Sequence, residues 1–198
     1  MNKLIFTLSL IFSLNSFAQE NKYEPVANKA EYYAVKYLPG KNYMDFRNWV
    51  MENQEKVLNK TDVYDNFDIA LFQPQFGTDL TQFDAVFLGL WPNATEMFAG
   101  MEYWAKNGGE QNAKVPVKTV QAVDTWQWAV SAPEGDPDIG VVRFSDCKMK
   151  DGVNANQVFD ALKDFAIAAK ETGDNLGRKM IFPGSGGTEG DYDYVYSL

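Results

Sequence analysis

Apolar residues form short runs typical of strands, separated by segments in which they recur at helical spacing. In the first two thirds of the chain the runs predict four strands, at residues 32–38, 67–72, 83–91 and 117–130. Between the first two, Phe46, Val50 and Val57 recur on one helical face, with Asn42 placed to cap the helix. A second helix is predicted to begin at a Thr95 cap and to end at Gly108. The order is therefore βαββαβ, a split-βαβ arrangement.

The pattern then starts again after a linker rich in Pro and Gly, residues 132–137. A strand is predicted at 139–144, a helix opening at Asn156, and two strands at 179–182 and 192–197. The second copy thus repeats βαββ and ends at the third strand. Two explanations are open: the sequence is a fragment of a longer protein, or a partner chain covers the last strand. We favour the fragment.

Matching residues at one constant offset support an internal repeat. The pairs are Pro74 with Pro183, Gly77 with Gly186, Asp84 with Asp193, and Val86 with Val195. No gap is needed across this hairpin, and the matches fall in the same predicted element order. We therefore predict a first unit at 31–131 and a second, shorter unit at 138–198.

Two such units in tandem, with an aromatic third strand, Trp91-Pro92-Asn93 and a helix rich in Met and aromatic residues, resemble the ferredoxin-like, dimeric α/β-barrel superfamily. The resemblance implies an α+β fold in which antiparallel sheets pack face to face as a barrel. It also implies a cavity, either between a sheet and its helices or between the sheets. Members include cofactor-independent monooxygenases, haem-degrading and peroxidase enzymes, and proteins without known activity, and the fold alone does not choose among them.

The N-terminus has the pattern of a cleaved export signal, predicted at residues 1–18. Lys3 precedes an apolar run at 4–14, and Ser16 and Ala18 are the small residues that favour cleavage before Gln19. The run is too short to span a membrane. We expect a periplasmic or secreted protein, with residues 19–30 as a flexible lead-in to the first unit.

Charge and composition exclude several classes of partner and chemistry. The net charge of −9 opposes binding to nucleic acid or to an anionic membrane, so we expect neither. The chain has no His, which rules out Ser-His-Asp catalysis and the His-ligated haem of some superfamily members. Cys147 is the single Cys, so neither a disulfide within the chain nor a Cys-ligated zinc site can form. Glu189, Asp191 and Asp193 occupy alternate positions, so a strand would place all three on one side. There they could bind calcium or form a solvated acidic strand edge, and we favour the edge. We therefore expect no metal and no cofactor.

Two groups of residues are candidates for a site. Asp84 and Asp193 occupy equivalent positions in the two units. Each could be a catalytic base or an anchor for a ligand in a pocket, or else a hairpin residue that bonds nearby backbone. The second group consists of aromatic residues, namely Trp91, Tyr103, Trp104, Trp126 and Trp128. They could line a cavity for an apolar or aromatic ligand, or they could pack the sheet against its helices.

Three functions stay open at this point. The first is an exported protein that binds a small apolar ligand or a second copy of itself as a homodimer. The second is a cofactor-independent monooxygenase or isomerase. The third is a structural or assembly protein.

Overall fold

The α+β class predicted from the pattern is confirmed. The computed structural model describes residues 21–77, 79–135, 140–187 and 190–198. Over these ranges the chain forms one antiparallel sheet of seven strands and four helices. No helix within them is both long and apolar enough to cross a bilayer.

The elements have the following bounds. The strands are β1 (Ala27–Tyr37), β2 (Asp68–Phe72), β3 (Ala85–Trp91), β4 (Val117–Ser131), β5 (Phe144–Cys147), β6 (Arg178–Pro183) and β7 (Tyr194–Ser197). The helices are α1 (Tyr43–Lys56), α2 (Ala94–Asn107), α3 (Gly109–Asn112) and α4 (Ala155–Glu171). Two short 3-10 turns, Leu58–Lys60 and Asp62–Tyr64, lead from α1 towards β2.

The strands lie side by side in the order β2-β3-β1-β4-β6-β7-β5. The first four have the order of a βαββαβ unit, which is consistent with a ferredoxin-like fold. Because β4 also pairs with β6, the last three strands continue the same sheet. The structure therefore contains one continuous sheet where the sequence predicted two.

The sheet curves enough for one side chain from each of its two edge strands to come into contact. Phe72 on edge strand β2 and Phe144 on edge strand β5 lie edge to face, with ring centroids 6.0 Å apart. Phe144 also lies 6.3 Å from Tyr32, which belongs to the central strand β1. The sheet thus has a concave inner face, on which Tyr32, Phe72 and Phe144 lie, and a convex outer face that the helices cover.

The outer face carries two apolar clusters. In the first, Phe46 and Val50 of α1 pack on Val35, Ala85 and Val117 of the sheet. The second, under α4, consists of Val130, Phe159, Ala166, Met180 and Tyr194. Strand β4 contributes Val117 to one cluster and Val130 to the other, so it joins them.

Asparagine side chains cap the three longer helices. Asn42 caps α1 as predicted, and it forms a reciprocal capping box with Asp45. The cap of α2 is Asn93 and not Thr95, because Asn93 is extended and accepts the Glu96 amide at 3.0 Å. Similarly, α4 is capped by Asn154 and not Asn156. In both cases the predicted residue already lies within the helix.

Two strands differ in position from the prediction. Strand β1 begins at Ala27, inside the predicted lead-in, and Lys29 and Ala30 are buried in it. Strand β5 begins only at Phe144, because its partner β7 fixes the register. The predicted leader at 1–18, and residues 136–137 of the predicted linker, lie outside the described residues.

Candidate functional site

A cavity of about 410 Å³ lies between the outer face of the sheet and helices α1 and α2. This volume falls within the roughly 300–1,000 Å³ usual for small-molecule sites. Its walls are mainly aromatic and aliphatic, with few polar groups. The aromatic lining residues are Tyr33, Phe46, Trp49, Tyr64, Phe67, Phe87, Trp91 and Trp104.

The rings of the lining are held by contacts with one another. Phe67 lies against Trp91 with centroids 4.1 Å apart, and Tyr64 contacts the same indole at 5.5 Å. On the opposite wall Trp49 stacks on Phe46 at 6.1 Å and meets the edge of Trp104 at 6.3 Å. Offset and edge-to-face pairs of this kind stabilise ring positions, so the cavity is largely preformed.

Two glycines make room for this arrangement. A Cβ on Gly100 of α2 would lie 2.1 Å from the Trp91 ring, so only glycine lets the helix approach the indole. A Cβ on Gly89 of β3 would lie 2.7 Å from the Phe67 ring and 2.9 Å from Glu31 Oε1. The floor of the cavity therefore depends on close approach of backbone to side chains.

Glu31 places a carboxyl group among these rings. It lies on β1, is 9% exposed, and lines the cavity. Its Oε2 accepts the Tyr33 hydroxyl at 2.8 Å, and its Oε1 accepts the Trp91 indole N–H at 3.2 Å. Since a carboxylate has about four acceptor positions, half of its capacity remains unused by these two bonds.

Among the residues that the structure describes, no cation is paired with this carboxyl group. The nearby ammonium of Lys29 is bonded to Asp124 and lies 4.7 Å from the Trp126 ring. Burial raises the pKa of Glu31 above its usual range, and the hydrogen bonds from Tyr33 and Trp91 oppose the increase. Burial also raises the pKa of Tyr64 to about 12, so this phenol stays neutral beside Glu31.

Asn53 adds a second acceptor. Its side chain lines the cavity from α1 and is 4% exposed, and its Oδ1 has no hydrogen-bond partner in the described part of the chain. Two donors of the lining are already used, since Trp49 donates to the Gln111 carbonyl at 3.0 Å and Tyr64 to the Gly100 carbonyl at 2.6 Å. The cavity therefore presents acceptors to a ligand.

Exposed residues mark where the cavity reaches the surface. Met101 of α2 is 40% exposed and belongs to the lining. Asn112 and Thr119 are also exposed lining residues. The mouth is thus formed by the end of α3, the start of β4 and the outer turn of α2.

The five predicted aromatic residues lie in four different places. Trp91 and Trp104 line the cavity, and Tyr103 contacts Tyr64 behind it at 5.9 Å. Trp128 packs on Phe159 in the second cluster. Trp126 is 41% exposed beside Lys29. The structure therefore does not bring the five together, although Trp126 and Trp128 do share one sheet face as expected.

Asp84 and Asp193 make the same backbone contacts in the two halves. Asp84 accepts the Tyr37 amide at 2.8 Å, and its own amide donates to the Val35 carbonyl. Asp193 accepts the Met149 amide at 2.6 Å, and its amide donates to the Cys147 carbonyl. Each carboxylate thus closes the end of a strand pair, and neither belongs to the cavity lining. These contacts correspond to the second of the two predicted roles, a hairpin residue that bonds nearby backbone.

Glu31 and Asn53 were not identified as site residues from the sequence. The signal for Glu31 was an acidic residue alternating with Tyr33, Val35 and Tyr37, but the strand was predicted to begin one residue later. Asn53 is a polar residue in the same helical stripe as Phe46, Val50 and Val57. In both cases the indication was a polar side chain on an otherwise apolar face.

A second buried polar group lies on the concave face of the sheet. Lys179 donates to Gln127 Oε1 at 3.1 Å, and the Gln127 amide nitrogen bonds the Tyr32 hydroxyl at 2.6 Å. Burial raises the pKa of Tyr32 to about 12 and lowers that of Lys179. Both polar atoms of the Gln127 side chain have partners here, so the group resembles a structural network more than a binding site.

The donor set of the cavity lacks the side chains that usually hold transition metals. Its lining holds neither His nor Cys, and the whole chain has no His with which to ligate haem iron. Within the described ranges no cluster of three or more acidic or sulfur ligands forms a metal site. Glu189 of the predicted acidic edge lies outside those ranges.

No protein-family model matches the chain, and no curated protein matches it. Among solved structures, one described as a chlorite dismutase is 13% identical, covering 86% of this chain and 78% of that chain, with a TM-score of 0.43. A variant of the chlorite dismutase from Candidatus Nitrospira defluvii is 8% identical over 88% of this chain and 77% of that chain, with a TM-score of 0.45. Another variant of that protein, in complex with cyanide, is 9% identical over 88% and 76%, with a TM-score of 0.47. These neighbours are chlorite dismutase-like proteins, whereas the α+β class of this chain rests on its own strand order.

Proposed function

We propose that this protein binds a small aromatic molecule in the cavity between α1, α2 and the sheet. The observation that carries the proposal is a preformed cavity of about 410 Å³ lined by eight aromatic rings, with a buried Asn53 oxygen that lacks a partner. Flat apolar walls favour a compact ring system. An unpaired buried acceptor costs roughly 1–3 kcal/mol, which a ligand donor would recover.

Indole is a suitable first probe because it combines a planar ring with one N–H donor. Titration with indole is expected to raise the melting temperature and to change the fluorescence of the cavity tryptophans. Thr119→Phe, at the exposed mouth, is expected to weaken this effect by narrowing the entrance.

Val120→Phe is the matched control, because Val120 is the next residue of β4, is 46% exposed and is not part of the lining. It should bind indole as the unmodified protein does. If a panel of one- and two-ring aromatic compounds leaves the melting temperature unchanged, the proposed function is wrong.

A second candidate, catalysis without a cofactor, is favoured by one specific observation. Glu31 is a buried carboxyl group of raised pKa inside an apolar cavity, which is the setting in which glutamate acts as a general base. Such an enzyme would abstract a proton from an activated aromatic substrate. Turnover of a bound compound, lost in Glu31→Gln while binding is kept, would favour this second candidate over simple binding.

We also propose that the two halves of the chain are ferredoxin-like units in tandem and that the curved sheet is an incompletely closed barrel. The equivalent contacts of Asp84 and Asp193, and the meeting of Phe72 with Phe144, support this. Export after cleavage near Ala18, and a homodimer, remain predictions.

A further inference from the structure

The charge of the ligand follows from the cavity's own polar atoms. Among the described residues of the lining, Glu31 is the acidic one, and neither Lys nor Arg is present. The ammonium of Lys29, two residues before Glu31 on β1, is held by Asp124. Glu31 therefore faces the cavity as a carboxyl group with unused acceptor positions and no counter-charge.

The rings around it also favour a cation. The faces of Trp, Tyr and Phe carry negative electrostatic potential, and they attract a cation placed within about 6 Å. Tyr33, Tyr64, Phe67 and Trp91 all line the cavity around Glu31. The protein's net charge of −9 adds a long-range negative potential, which also attracts a cation.

The hydrogen-bonding groups agree with this charge. Asn53 Oδ1 is an unpaired acceptor in the same lining, whereas the donors of Trp49, Tyr64, Tyr33 and Trp91 are all occupied. An ammonium group has three donors and no acceptor. It matches the Glu31 carboxyl group and the Asn53 Oδ1 atom, two acceptors of the lining.

We propose that the ligand is an aromatic amine bound as its ammonium ion, with the ammonium on Glu31 and the ring among the tryptophans. This rests on the proposed function and specifies the class of ligand. A carboxylate ligand would place a second negative charge beside Glu31, so aromatic acids are excluded from the cavity.

The test compares three indole compounds of nearly one shape. Tryptamine carries an ammonium, tryptophol replaces it with a hydroxyl, and indole-3-acetate carries a carboxylate. Calorimetry near neutral pH should show tryptamine binding roughly ten- to a hundredfold tighter than tryptophol, the range of one charge-assisted hydrogen bond. Indole-3-acetate should not bind.

Two variants assign the preference to one carboxyl group. Glu31→Gln should bind tryptamine and tryptophol about equally, because the amide keeps the shape and loses the charge. Glu52→Gln removes a carboxylate from the α1 surface, where Glu52 pairs with Lys56, and should keep the preference. Both variants change the net charge equally, so they separate a local effect from the long-range field.

The pH dependence gives an independent readout. The titratable groups that face Glu31 are Tyr33 and Tyr64, whose pKa values are raised by burial, together with the Lys29–Asp124 pair. Tryptamine affinity should therefore increase as pH rises through the titration of Glu31, and it should be flat over that range in Glu31→Gln.

The outcomes separate this inference from the function on which it rests. Equal binding of tryptamine and tryptophol by the unmodified protein overturns the inference and leaves the cavity as an aromatic site. A tryptamine preference that survives Glu31→Gln overturns the role of Glu31. Failure of indole, tryptophol and tryptamine alike overturns both proposals.

Discussion

At the scale of single residues, Glu31 shows how burial gives one side chain its chemistry. The carboxyl group is on a strand position that would otherwise be apolar, and Gly89 leaves the room that it occupies. Tyr33 and Trp91 orient it, but neither neutralises it. An ionised carboxylate buried without a counter-charge lowers the free energy of unfolding, so its effect can be measured by denaturation.

The first prediction concerns the pH dependence of stability. Because the folded-state pKa of Glu31 is raised above its ordinary value of 4.5, the folded protein favours the protonated form. Stability from this group is therefore greatest below the ordinary pKa and is lost as pH rises through the raised value. In Glu31→Gln this loss is absent, so the variant should gain stability relative to the unmodified protein as pH increases across that window.

Urea unfolding of both proteins between about pH 3.5 and about pH 8 measures this difference. The comparison is made at each pH, so the titration of all other groups cancels. A difference in unfolding free energy that stays constant from acid to neutral pH would contradict the raised pKa.

At the scale of elements, α2 is placed by its first turn. Asn93 accepts the Glu96 amide there, and Glu96 in turn accepts from the Asn93 side-chain amide at 3.0 Å. The helix then brings Gly100, Met101 and Trp104 to the cavity. The start of α2 thus sets where one wall of the cavity lies.

The second prediction is that Asn93→Ala lowers the free energy of unfolding by about 1 kcal/mol, the usual contribution of an N-cap. Thr95→Ala, two residues later and exposed, should change it by less than about 0.5 kcal/mol, because Thr95 lies inside the helix. Chemical denaturation followed by circular dichroism distinguishes the two. Equal losses from both substitutions would mean that Asn93 is not the cap.

At the scale of the whole molecule, both apolar clusters lie on one sheet. Strand β4 runs through them, with Val117 in the cluster under α1 and Val130 in the cluster under α4. Because β4 also pairs with β1 on one side and β6 on the other, the two halves share backbone hydrogen bonds. We expect them to unfold together.

The third prediction uses two phenylalanines of α4. Phe159 is 2% exposed, so Phe159→Ala should cost about 3–5 kcal/mol in unfolding free energy. Phe165 is 57% exposed, and Phe165→Ala should cost less than about 1 kcal/mol. In Phe159→Ala the transitions seen by tryptophan fluorescence and by circular dichroism should shift together. A second, unshifted transition would show that the α1 half unfolds independently.

Local pattern was sufficient to predict most of the elements of the fold. The alternation of apolar residues gave β2, β3, β4, β6 and β7 to within two residues, and helical spacing gave α1, α2 and α4. These predictions hold because an amphipathic period and a capping side chain act over a few residues, and neither needs a distant partner. Asn42 is an example, since its capping bonds lie within its own helical turn.

Long-range pairing decided the rest. The start of β1 at Ala27 depends on β3 and β4 beside it, and β5 lies where β7 holds it, although the more apolar residues precede it. The cavity has the same origin, because Glu31, Asn53 and Trp91 come from three elements that only the folded sheet brings together. The sequence by itself therefore determined most of the elements and excluded His chemistry, because these depend on local pattern and composition. The tertiary structure decided the bounds of β1 and β5 and which polar side chains of the described residues became buried without a counter-charge.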